Sequence, residues 1–283
     1  MRRSFLIPLL ALAVAPLLAA GCGGGSSSST STGKTASAAV AATAGVAKAG
    51  KIVYCSDITY PPEEFYKGST PTGSDIDIGT AIGNLMAVKA EFDNTGFDGI
   101  IPALLSKKCD AIISGMNDTP QRRTQVDFVD YLRVGQSLMV AAGNPENIAS
   151  LADLSGKSVS VEVGTTNAGF LQQESSRLGS QGKPGVDVVT FPKDTDAANA
   201  LKTGKVDAYF GDSPVVAYYI AQDPSSFAFG GQPINPIPVG IALRKDETQL
   251  RAGVQEAVHM LYRNGTMGHI LGRWNMSQFE LKS

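Results

Sequence analysis

Cysteine, histidine and tryptophan are scarce in this chain: three, two and one among 283 residues, with charged residues at only 18%. No Cys/His cluster has metal-ligand spacing, so no metal centre is expected. His259 and His269 lie ten residues apart and read as surface or packing residues. The formal net charge is −2 and no long basic patch occurs, which argues against nucleic acid as a partner. No apolar run after residue 20 is long enough to span a bilayer. Nucleophile-elbow and phosphate-cradling glycine motifs are missing too, and no cofactor is expected. What remains is 43% hydrophobic content in a chain longer than a usual single domain, which predicts two lobes.

The N-terminus reads as a targeting segment. Arg2 and Arg3 precede the apolar stretch from Phe5 to Ala20, which Pro8 and Pro16 interrupt. Leu18-Ala19-Ala20-Gly21-Cys22 resembles a bacterial lipobox, with Ala19 where leucine is usual. Residues 1–21 are therefore read as a lipoprotein signal peptide and Cys22 as the lipidation site, with a plain secretory signal as the simpler alternative. Residues 22–49 are rich in Gly, Ser, Thr and Ala and read as a flexible tether. The body is expected to be exported and held at the periplasmic or cell-surface face of the cytoplasmic membrane. Export would permit a disulfide between Cys55 and Cys109. Their expected places, at opposite ends of neighbouring parallel strands, exceed the roughly 7 Å limit, so free buried thiols are expected instead.

Strands alternate with helices along the body. Strands are expected at Lys51 to Cys55, Val88 to Phe92, Asp110 to Ser114, Ser137 to Ala142, Ser158 to Val163, Val186 to Phe191, Val206 to Phe210 and Pro236 to Leu243. The helix after Asp75 carries Ile78, Ile82, Leu85 and Met86 at helical spacing. Asp98 is a plausible cap for a helix from Gly99 to Ser106, and Glu247 to Arg263 reads as a long amphipathic helix. The pattern strand–helix–strand–helix–strand occurs twice, which gives α/β lobes with mainly parallel sheets. Asp57, Ser114, Gly164 and Asp212 all fall at carboxyl ends of strands, where two such lobes create a cleft.

The segment Ser114 to Arg122 is the most telling. Thr119 fits an N-cap and Pro120 fits the first helical position. Arg122 then sits in a first turn, where the macrodipole disfavours a cation unless an anion shares the site. A guanidinium matches a carboxylate in a planar, bidentate way, so this reads as a carboxylate clamp. Asp212 offers the opposite charge.

From about Lys51 to Trp274 the chain resembles the periplasmic solute-binding proteins of polar amino-acid ABC transporters. The resemblance rests on Asp57 to Pro62, Gly73 to Asp77, Phe97 to Leu104, Cys109 to Met116, Thr119 to Arg122, Val126 to Phe128, Leu154 to Lys157, Val163 to Thr166 and Val206 to Asp212. It implies a two-lobed type II periplasmic-binding-protein fold with a two-strand hinge. Lobe 1 would comprise residues 50–135 plus 232–283, and lobe 2 residues 136–231. It further implies a monomer, not an enzyme, that closes on a free amino acid and delivers it to an ABC permease.

By the same resemblance Arg122 holds the ligand's α-carboxylate, and Thr165 and Thr166 complete that site or merely cap their helix. Asp212, the Ser114 hydroxyl and the Gly115 backbone meet the ammonium. Met116 and Asn117 belong to the matching segment, Asn117 standing where Ser or Thr is usual. Tyr60 and Phe97 flank the ligand side chain or pack in the core. Asp57 and Asp75 set specificity, or are a turn residue and a helix cap; acids here favour a polar or basic ligand over an acidic one. Glu63, where the family often has Phe, is expected to face solvent. Exported dehydratases on the same scaffold, or a ligand-sensing partner protein, are the competing readings.

Overall fold

The computed structural model describes residues 39–281. The signal peptide, Cys22 and the first part of the expected tether lie outside the described residues. The tether's last residues form a helix instead, α1 (Ala44–Ala49), whose Thr43 cap accepts the Val46 N–H; Val40 and Val46 are buried in the adjoining core.

The first half of the body runs β1 (Lys51–Ser56), β2 (Thr59–Tyr60), β3 (Glu64–Lys67), β4 (Thr70–Thr72), α2 (Ser74–Leu85), β5 (Lys89–Asn94), α3 (Ile100–Leu105), β6 (Ala111–Ile112) and α4 (Pro120–Arg123). Next comes β7 (Val126–Ala141), sixteen residues long. The second half holds β8 (Ser158–Glu162), α5 (Thr166–Ser180), β9 (Asp187–Phe191), α6 (Asp194–Lys202), β10 (Ala208–Asp212), α7 (Ser213–Gln222) and β11 (Phe227–Phe229). β12 (Ile234–Arg244) returns, followed by α8 (Thr248–Arg263) and α9 (Thr266–Arg273).

β5, β1 and β6 form one parallel flank, and β10, β8 and β9 the other. The antiparallel pair β12 and β7 joins them. β7 pairs with β12 through Val126–Val134, then with β10 through Gln136–Val140, so one continuous strand serves both halves. The pairing with β12 shifts register between Ile234 and Ile237, close to Gly135. Only the second part of β7 was expected from the sequence. Its first part, Val126 to Gln136, carries the half-buried Asp127 and Asp130 and the exposed Arg133, which blur the apolar pattern of a strand.

Each half has its own core. Ile52, Tyr54, Ile78 and Ile82 pack with Leu250, Val254, Val258 and Leu271, so α8 and α9 close the first half. On α8 the buried Leu250, Gly253, Val254, Ala257, Val258 and Leu261 repeat at three- and four-residue intervals, as one inward face requires. In the second half Val159, Val161, Leu171 and Phe210 form one cluster, and Ala197, Leu201, Tyr209 and Val215 another.

The cysteines overturn the expectation of free thiols. Cys55 and Cys109 form a disulfide with Cα atoms 5.6 Å apart. β6 is only two residues long and pairs Cys55 with Ile112. Cys109 therefore lies in the turn just before β6, and that turn folds back to Cys55 rather than standing a strand's length away. Asp98 also differs from expectation. A 3₁₀ turn at Phe97–Gly99 leads into α3, and Asp98 gives no side-chain cap.

Candidate functional site

Because both flanks are parallel, the carboxyl ends of β1, β6, β8 and β10 converge on one cleft. Tyr60, Phe97, Gly115 and Asn117 from the first half, and Glu162, Thr165, Thr166, Asn167 and Asp212 from the second, line a small space there, with room for about one water molecule. A wider groove adjoins it, bordered by Thr119, Arg122, Gly164, Thr165 and Thr166.

Asp212 ends β10 and is buried. Its carboxylate accepts from Asn167 Nδ2 and Asn117 Nδ2, each at 3.1 Å, and its N–H donates to the Tyr60 hydroxyl at 3.3 Å. Burial pushes its carboxyl up to about 6, against the pull of these donors and of Arg122. Asn117 is the hub: its carbonyl accepts from Arg122 Nη1 at 2.8 Å and its side-chain oxygen accepts from the Thr166 hydroxyl.

Arg122 sits where the Thr119–Pro120 start puts it. Thr119 accepts the Arg122 N–H at 3.1 Å and Pro120 opens α4. The guanidinium is buried, its carbon 5.2 Å from the centre of the Phe97 ring. Nη2 reaches across the cleft to the Gly164 carbonyl at 3.3 Å. Burial lowers its pKa to about 10, so it stays a cation at neutral pH. Its acceptors here are neutral carbonyls and it borders the groove rather than the small enclosed space. Thr165 caps α5, accepting the Ala168 N–H at 3.1 Å, and Thr166 is the first residue of that helix.

The other expected residues divide into two groups. Tyr60 and Phe97 line the space, and the Tyr60 ring lies flat on Gly115: a Cβ at Gly115, whose φ is +49°, would stand 3.1 Å from it. Asp57, Asp75, Ser114 and Met116 stand behind this wall. The carboxylate of Asp57 accepts the Thr59 hydroxyl at 2.7 Å and the Phe97 N–H at 2.8 Å. Asp75 accepts the Gly115 N–H at 2.8 Å and the Tyr131 hydroxyl at 2.6 Å. The Ser114 hydroxyl donates to Glu64 and accepts the Asp57 N–H. Met116 is fully buried with Cys55, Ile100 and Ile112.

Glu63 does not face solvent, contrary to expectation; it is 2% exposed. The Asp75 N–H donates to its carbonyl at 2.9 Å, and the backbone of Gly73 packs on the same carbonyl. A side chain at Gly73 would collide there, 2.0 Å away, so the turn is tight and folds Glu63 inward beside Gly115. Burial, with Asp75 and Asp212 nearby, raises its carboxyl well above the usual range.

Glu162 and Asn167 also line the space and were not among the expected residues. Glu162 is the last residue of β8, the strand-end position that singled out Asp212, but it follows an apolar run and was absorbed into the strand. Asn167 accepts from Gln136 Nε2 and donates to Asp212, which fixes it at the wall of the space.

Residues 52–277 match the family of bacterial extracellular solute-binding proteins, family 3. The chain belongs to that family. Over 237 residues it is 31% identical to ABC transporter arginine-binding protein 1 of Escherichia coli, spanning 82% of this chain and 93% of that one. It is 30% identical over 235 residues to the lysine/arginine/ornithine-binding periplasmic protein of the same bacterium, spanning 80% and 88%. The solved structure of an ancestral arginine-binding protein bound to arginine is 36% identical, covers 80% of this chain and 98% of its own, and superposes with a TM-score of 0.74. This family 3 member thus shares its two-lobed fold and its exported, amino-acid-binding relatives.

Proposed function

We propose that this chain is an extracytoplasmic receptor that closes on one free amino acid, polar or basic, and delivers it to an ABC importer permease. The observation that carries this reading is the pair of buried opposite charges, Arg122 and Asp212, both bonded to Asn117 at the seam of the two halves. An α-carboxylate offers Arg122 a charged acceptor in place of the Asn117 and Gly164 carbonyls, and the α-ammonium offers Asp212 a charged donor. Thr166 and the Thr165 backbone, at the start of α5, add donors on the carboxylate side. Tyr60 and Phe97 flank the side chain. A basic ligand is favoured because carboxylates outnumber cations in the cleft wall, and because the arginine-binding relatives point the same way. Closure would bend β7 and β12 near Gly135 and Ile234, with residues 50–135 plus 232–283 moving against 136–231.

The lipobox-like sequence supports lipidation at Cys22, which would tether a monomeric receptor to the membrane. Loss of membrane fractionation in Cys22→Ala tests that part. A thermal-shift panel of amino acids tests the receptor itself. A cognate ligand at a hundredfold over its Kd adds about 2.7 kcal/mol of stability. Arg122→Ala should erase the shift; a panel with no shift at all would refute the reading.

A further inference from the structure

Gln136 is a buried amide in the strand that serves both halves. It is 4% exposed, although glutamine is mostly found at surfaces. In the sheet it stands opposite Asp212 of β10 and opposite Ile234 of β12, at the point where β7 passes from one partner to the other. Its side chain reaches Asp212 through a relay. Asn235 Nδ2, beside the register shift of β12, donates to Gln136 Oε1 at 3.2 Å. Gln136 Nε2 donates to Asn167 Oδ1, and Asn167 Nδ2 donates to Asp212 Oδ1 at 3.1 Å. Asn235 holds a left-handed backbone, φ +48°, which asparagine tolerates better than most residues. Each carboxamide has an accepting and a donating end, so the three amides form a chain with a direction. Its donating end falls on the carboxylate.

We propose that Gln136 and Asn235, on the two strands that join the halves, are positioning residues that fix which end of the Asn167 amide faces Asp212. The proposal rests on the amino-acid reading above, in which Asp212 meets the ligand's ammonium, and adds what keeps that carboxylate charged. A neutral Asp212 needs an acceptor for its proton, and Asn167 could supply one by turning over. Gln136 bars that turn, because its own NH2 would then face the NH2 of Asn167. The relay therefore penalises the neutral acid and favours the ionised one. The other groups acting on this carboxyl are Arg122 on α4, the Asn117 amide, the Tyr60 hydroxyl on β2, Glu63 between β2 and β3, and Asp194 at the start of α6. Of these, Arg122 and the two neutral donors favour the charged form, and the two acids oppose it.

Calorimetric titration of the full chain with arginine and with glutamine, at pH 5 and at pH 8, tests this. Gln136→Met keeps the length of the side chain and removes its amide. Relative to wild type it should weaken either ligand about tenfold at pH 5, the equivalent of one unit in the titration of Asp212. At pH 8, where the acid is ionised in both proteins, the loss should stay below about threefold. Asn235→Gly keeps the left-handed turn at an exposed position and removes the first donor; the same pattern should appear, at about threefold at pH 5. Thermal melts at both pH values show that each variant folds. A role in packing alone would lower affinity equally at the two pH values. That outcome in the folded variants, or no loss at either pH, would overturn the proposal. Binding that then still vanishes in Arg122→Ala leaves the amino-acid reading standing. Failure of arginine and glutamine both to bind wild type would remove both.

Discussion

On its groove side the cleft holds one guanidinium, Arg122, among neutral carbonyls and an aromatic face. On its enclosed side it holds Asp212 and Glu162, with Asp57 and Asp194 behind them. The cationic side is held by two hydrogen bonds to protein carbonyls; the acidic side leaves Glu162 Oε1 without a partner and holds protons more tightly than free carboxyls do. The two sides therefore respond to different tests. Removing Arg122 should affect every amino acid alike, whereas changing the acids or the pH should affect cationic ligands most.

The largest expected effect follows. Arg122→Ala should lower affinity for any amino-acid ligand by a factor on the order of a thousand, since a charged, desolvated hydrogen-bond partner is lost. Titration calorimetry reads this directly, and a loss confined to basic ligands would mean that the two sides have been assigned wrongly.

Next is the frame that carries the acidic side. Cys55 and Cys109 close a loop with a sequence separation of 54, which contains Asp57, Tyr60, Asp75 and Phe97. Breaking that link should cost about 4 kcal/mol by the chain-entropy model. Urea unfolding of Cys55→Ala/Cys109→Ala beside the oxidised wild type measures it.

The pH prediction separates the sides further. Asp212 titrates at about 6 and Asp194 at about 7 in the folded chain, both raised by burial from an ordinary 3.8. Carboxyls raised on folding take up protons as the chain folds. Their contribution to stability is therefore full below about pH 4 and is lost as pH rises through 6 to 7. Without ligand, melting temperature should rise as pH falls from 7.5 to 5. Affinity for an ammonium at Asp212 should move the opposite way, about tenfold weaker at pH 5 than at pH 7.5. Titrations at both pH values check the sign; affinity that is flat with pH would mean Asp212 does not meet the ligand's charge.

The smallest effect concerns the placement of Arg122. Thr119→Ala removes the cap of α4 and should cost about 1 kcal/mol of stability, with a several-fold loss of affinity. Thermal melts and titration separate the two.

How legible all this was in the sequence depended on the range of the interaction. Thr119–Pro120–Arg122 was readable because capping is local, and Asp57 and Asp212 because strand ends in α/β units point to clefts. The disulfide was not, because it depends on β6 being two residues long, which only its pairing with β1 and β12 sets. Glu63 was misread because glutamate is seldom buried whole, and only the close approach of Gly73 turns it inward. Glu162 was missed because the wall it joins is completed by Tyr60 and Phe97, which come from the other half. The first part of β7 escaped because Asp127, Asp130 and Arg133 interrupt its apolar pattern and conceal a strand that serves both halves.

The central claim is that one amino acid is held by its two charged ends between Arg122 and Asp212. A crystal structure of the full chain grown with arginine tests it most directly. The account predicts the α-carboxylate paired with both terminal nitrogens of Arg122 and the α-ammonium about 3 Å from Asp212. Arginine bound outside the cleft, or inside it with neither end on those residues, would contradict it.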